Sequence, residues 1–252
     1  MSDDALFQFL LRQGDTALVL GHRLSEWCGK GPALEEDIAL SNTGLDLIGQ
    51  TQMWLGLAAE VEGAGRTADD LAYFRDVYDF RNLLLVEQPN GDFGQTMMRQ
   101  FLFDAFNVLH LDALQGSSNQ QIMEIAAKSV KEARYHLQRS TEIVVALGDG
   151  TDESNTRMQA ALDLLWPYVG EMFLEDGVEE TLAGQGDIIA PSELRAPWDG
   201  HVLPTLKDAM LTVPDSDFAH RGGKTGMMHS EHLGHMLAIM QSLPRSYPDA
   251  RW

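Results

Sequence analysis

One cysteine, Cys28, occurs in 252 residues. That excludes an internal disulfide and any cysteine-rich zinc site. Basic residues are also scarce: 18 Lys and Arg stand against 38 Asp and Glu, for a net charge of -20. A chain of that charge repels polyphosphate, so no nucleic-acid partner is expected. No apolar run approaches the ~18 residues that span a bilayer, and Met1-Ser2-Asp3-Asp4 lacks the basic start of a secretory signal. A cytoplasmic protein without membrane contact is the expectation. A nucleophile elbow is missing. Gly222-Gly223-Lys224-Thr225 ends like a phosphate-binding loop, but the position where that loop needs its first glycine holds Phe218. Strand–helix alternation and repeats of fixed period are absent too, which removes the doubly wound and solenoid classes.

What the sequence does hold is helical period. Apolar residues recur at spacings of three and four along 5–28, 33–62, 92–115 and 120–147. Gly29-Lys30-Gly31-Pro32 parts the first pair, and Gly116-Ser117-Ser118-Asn119 the second. Thr67 and Asp92 read as helix N-caps. Residues 83–86, Leu-Leu-Leu-Val, read as an extended buried segment, and 175–190 show no clear period. Further helices are predicted near 153–173, with a kink at Pro167, and near 192–211 and 228–243. Two helical hairpins joined by one long crossover give an all-α, ferritin-like four-helix bundle with peripheral helices. The expected organisation is one domain over 1–252, its core bundle at about 5–147 and accessory helices at about 153–243.

A di-metal site in that fold takes a Glu from each of two helices and Glu-x-x-His from each of the other two. A spacing of three keeps both ligands on one helix face. Here Glu132-Ala133-Arg134-Tyr135 has tyrosine where histidine is wanted, and Asp46-Leu47-Ile48-Gly49 has glycine. Asp15 and Asp104 fill the remaining acidic positions at matching heights in their hairpins. The set Asp15, Asp46, Gly49, Asp104, Glu132 and Tyr135 thus reads as a di-iron site that has lost both histidines, with no metal and no catalytic residue in this chain. His136 is turned about 100° from position 135 on a helix and does not simply replace it. Buried acids need partners, and Arg134, Gln50, Asn42 and Asn107 are the candidates. The plain alternative is a solvated acidic face. His229, His232 and His235 form a second cluster, either an exposed or capping group or a zinc site.

Several stretches carry a resemblance: GDTALVLGHRLSEWCG (14–29), SNTGLDLIGQ (41–50), NLLLVEQPNGDFGQT (82–96), KEARYHLQRS (131–140), LGDGTD (147–152) and RGGKTGMMHSEHLGHM (221–236). They run in order along most of the chain. On them the chain resembles the C subunits of ring-1,2-phenylacetyl-CoA epoxidases, with departures at Asn107 and His235. The resemblance implies a ferritin-like subunit of a multicomponent monooxygenase that acts structurally and has no cofactor of its own. It implies a catalytic di-iron subunit as partner, a small accessory subunit, and a reductase carrying FAD and an iron–sulfur centre that draws on NADPH. A homodimer is expected when the chain is isolated. The competing reading is a competent di-metal oxygenase using Asp46, Asp104, Glu132 and His136.

Overall fold

The computed structural model describes residues 2–216 and 218–250. Among these there is no strand, and the fold is all-α, of the ferritin-like class expected from its long hairpins. The helices are α1 (Ser2–Ser25), α2 (Leu34–Glu62), α3 (Ala68–Tyr73), α4 (Leu84–Glu87), α5 (Phe93–Leu114), α6 (Gln120–Gly148), α7 (Asp152–Leu165), α8 (Gly177–Gln185), α9 (Arg195–Asp208), α10 (Glu231–Met240) and α11 (Ser242–Ser246). The chain divides into two compact units, one of residues 1–88 with 221–252 and the other of 89–220. The last two helices therefore belong with the first hairpin.

In the first unit, α1 and α2 pack as an antiparallel pair that is tightest at glycine. A Cβ on Gly21 would lie 3.3 Å from the Gly44 carbonyl oxygen, and a Cβ on Gly44 would lie 3.3 Å from that of Gly21. Leu10, Leu20, Leu24, Leu40, Leu47 and Leu55 are buried around this crossing. Residues 83–86 differ from expectation. They are not extended, because residues 84–87 close one helical turn, and all four are buried. A short apolar run does not separate a buried strand from a buried turn of helix.

In the second unit, Asp92 accepts the Gln95 N–H at 2.9 Å and starts α5, as its position predicted. Asn119 accepts the N–H groups of Gln121 and Ile122 and starts α6. Residues 175–190 do contain a helix, α8, begun by a reciprocal cap between Asp176 and Glu179. Near Pro167 the helix ends instead of kinking, and a 3-10 turn of residues 166–168 takes over. Trp198 of α9 is fully buried and donates its indole N–H to the Leu102 carbonyl at 3.1 Å, fastening α9 to α5. A Cβ on Gly148 would collide with the Ala209 carbonyl oxygen, so α6 and α9 close together at their C-terminal ends.

α9 ends in a paired cap. Leu211 N–H bonds the Leu206 carbonyl, and Met210 N–H bonds that of Lys207. Met210 takes the left-handed conformation (φ 57°) that such caps usually give to glycine. Its side chain is 68% exposed, so little packing offsets the strain. Met210→Gly should therefore stabilise the chain by about 0.5–1 kcal/mol. Paired chemical-denaturation curves of parent and variant check this, and an unchanged or lowered midpoint would contradict it.

Candidate functional site

Two of the four acids singled out in the sequence are buried: Asp15 in the first unit and Asp104 in the second. Asp15 has no solvent exposure, and α1 presents it to the segment that follows α3. The Arg75 guanidinium holds both of its carboxylate oxygens through Nη1, at 3.0 Å, and Nη2. Arg81 adds its backbone N–H at 2.8 Å. Arg75 is itself buried, lies over the Phe80 ring at 4.5 Å and donates to the Asp79 carbonyl at 2.9 Å. A bidentate guanidinium and a backbone donor saturate this carboxylate.

Asp104 sits in mid α5. Gln100 Nε2 donates to one oxygen at 2.7 Å and Ser140 Oγ to the other at 2.8 Å. Burial pushes its carboxyl up to about 6, against the opposing pull of His136, the two hydrogen bonds and Arg139.

The other positions fall differently. Asp46 and Glu132 are half-buried, and Gly49 is exposed. Tyr135 is 58% exposed, so it does not stand inside the fold as a histidine ligand would. The buried face of α6 runs through Ile122, Ala126, Ser129, Ala133, His136, Ser140 and Val144. It is His136, one position on, that turns inward beside Asp104. Arg134 does not serve a buried acid either, since it is exposed and bonds Asp112 at 2.6 Å. Asn42 is exposed, while Gln50 and Asn107 are buried. The signal for His136 was present in the small and apolar residues at alternating spacings of four and three, a phase that includes 136 and omits 132 and 135.

A carboxylate that reasoning from sequence passed over, Glu87, is fully buried. It accepts Asn82 Nδ2 at 2.9 Å, Ser230 N–H at 2.7 Å and Ser230 Oγ at 2.6 Å, and it pairs with His229 Nδ1. His229 Nε2 lies 3.2 Å from the Phe80 carbonyl. Both ring nitrogens face acceptors, so His229 is committed to the fold. His232 is half-buried and His235 exposed. Among the described residues, no three His, Cys, Asp or Glu side chains are grouped to hold a metal ion. Of the acids singled out in the sequence, Asp15 is held by Arg75 and the Arg81 N–H and Asp104 by amide and hydroxyl groups, while Gly49 and Tyr135 are exposed. Among the described residues, no helix is long and apolar enough to cross a membrane.

The family described as phenylacetic acid catabolic protein matches over residues 1–252, and the chain belongs to it. It is 46% identical over 247 residues, 98% of this chain and 99% of the relative, to the C subunit of the 1,2-phenylacetyl-CoA epoxidase of Escherichia coli (strain K12).

Two measurements follow from the buried acids. Arg75→Met strands the Asp15 charge and should destabilise the chain by about 3–5 kcal/mol. Asp15→Asn combined with Arg75→Met should recover part of that loss, and equal losses in single and double variants would deny the pairing. For Asp104 the folded carboxyl titrates above the unfolded one. Its contribution to stability is thus fully present below pH 3.8 and disappears as pH rises through about 6. Asp104→Asn removes that dependence. The variant should gain on the parent by up to about 3 kcal/mol between pH 4 and pH 7.5. Denaturation midpoints at the two pH values test this, and parallel pH profiles would contradict it.

Proposed function

We propose that this chain is the non-catalytic, structural subunit of a multicomponent, NADPH-dependent phenylacetyl-CoA 1,2-epoxidase of cytoplasmic phenylacetate breakdown. In this reading it keeps the positions of a di-iron site without its chemistry and supports the catalytic subunit. The di-iron centre belongs to that partner, and FAD and the iron–sulfur centre belong to the reductase. The relative's designation as an epoxidase subunit supports the assembly role.

The observation that carries the reading is that the buried Asp15 and Asp104 are engaged by donors of the chain itself. An iron ligand must offer an oxygen lone pair to the metal. Asp15 offers both oxygens to Arg75, and Asp104 offers its two to Gln100 and Ser140. A guanidinium in place of a metal ion neutralises the carboxylate and locks α1 to the segment after α3. The same acids that would organise a metal then organise the fold. What the chain contributes is a rigid helical body, and a partner that binds it folded is stabilised by mass action.

The test is co-expression with the catalytic subunit, followed by separation on a sizing column and by turnover of phenylacetyl-CoA with reductase. The expected outcome is a stable complex and a loss of soluble yield and activity when this chain is omitted. Purified alone, the chain should carry far less than stoichiometric iron. Iron-dependent turnover by the isolated chain, or a catalytic subunit fully soluble and active without it, would overturn the proposal.

A further inference from the structure

A cleft of about 230 Å³ opens in the first unit between α10 and the end of α1 with the turn after it. His22, Glu26 and Lys30 line it from one side, and Met236, Ile239 and Met240 from the other. Arg23 anchors α10 here by donating to the His232 carbonyl at 3.3 Å, so the fold fixes the two walls together. The volume falls below the ~300 Å³ at which pockets begin to take drug-sized molecules. A small ion suits it better than an organic ligand.

The groups around the cleft specify which ion. Met236 and Met240 stand four residues apart, which puts both thioethers on one face of α10, a turn from each other. Met236 is 5% exposed and Met240 is half-buried. α1 contributes a half-buried imidazole, His22. Both ring nitrogens of His229 are engaged by acceptors. His22, by contrast, makes no side-chain hydrogen bond among the described residues. Burial lowers its pKa below the usual value, against the opposing pull of Glu26. The ring is therefore neutral at pH 7, with a lone pair to offer. Thioether sulfur is a poor ligand for hard ions such as Mg²⁺ and Ca²⁺, and it selects Cu(I). Two thioethers and a neutral imidazole make a three-donor set, which the filled d shell of Cu(I) accepts. Charge agrees with a cation. The whole chain carries -20, and at the rim Glu26, shared with Arg23 at 2.9 Å, offsets Lys30.

We propose that His22, Met236 and Met240 form a reversible binding site for a soft monovalent metal ion, with Cu(I) the ion it fits. The site uses none of the acids considered for iron and does not depend on the subunit role proposed above. A bound ion ties α10 to α1 and stabilises the folded chain by mass action.

The experiment uses the Cys28→Ser chain, which removes the exposed thiol as a competing ligand. Cu(I) is titrated into it without oxygen, against the chelator bicinchoninate, beside Met236→Leu, Met240→Leu and the double variant in the same background. Leucine replaces methionine at similar volume, so the melting transition should stay in place. The Cys28→Ser chain should hold one equivalent of Cu(I). Each single substitution should raise the dissociation constant by about tenfold or more, as should His22→Gln, and the double variant should lose the ion. A second reading needs no change at methionine to show binding. Ag(I), a redox-inert stand-in, should shift two of the twelve methionine methyl signals, which the single leucine variants assign to 236 and 240. Loss of all Cu(I) to the chelator would overturn the proposal. So would binding that the double variant leaves unchanged, or Ag(I) shifts confined to other methionines.

Discussion

Glu87 has no contact with water, and four hydrogen-bonding groups reach its carboxylate. Its backbone carbonyl accepts Arg23 of α1 at 2.7 Å, and the same guanidinium nitrogen lies 3.3 Å from the His232 carbonyl in α10. Through this one residue the segment that begins α10 is bound to the turn of α4 and to α1. A carboxylate placed so deep would be costly if any of these donors were withdrawn. The first unit is thus closed by a polar junction as well as by its leucine core. Asp15 repeats the principle with arginine, and Asp104 does so with amide and hydroxyl. Three buried acids, each given partners by the protein, hold three different joints.

The structural role proposed for this chain rests on how these acids are engaged. In a metal site, carboxylates stay available to the ion and to one another. Here the oxygens of Asp15 and Asp104 accept from donors supplied by the chain, with geometry fixed by folding.

The helices themselves were legible in the sequence. The hairpins announced themselves through long runs of three-and-four spacing, and Asp92 marked the start of α5. Two short elements were hidden. The turn of α4 lies in an unbroken apolar run, and α8 is only nine residues long, begun by a local cap rather than by period. Placing the acids was harder, for a physical reason. α2 carries apolar residues around much of its circumference, so the apolar neighbours that made Asp46 read as an inward acid were a poor guide, and it is half-buried. α6 is strongly amphipathic and did declare its phase, through Ala126, Ser129, Ala133 and Ser140. Matching an expected motif at 132 and 135 set that phase aside and left His136 a secondary candidate. Arg75 and Glu87 act across sixty and more than one hundred and forty residues, separations at which local patterning is silent.

The route of the chain through its two units has a bearing on how the protein is made. Residues 89–220 are contiguous, whereas the first unit needs pieces from both sides of them. On a ribosome, α1 and α2 emerge first and pair, but the donors that Glu87 takes from His229 and Ser230 are still unmade. The second unit can complete itself meanwhile, since its parts are synthesised before the chain's last two helices. Until then Glu87 keeps its carboxylate in water, and α4 has no reason to bury it. The order of synthesis thus leaves the first-born helices as the last to be locked.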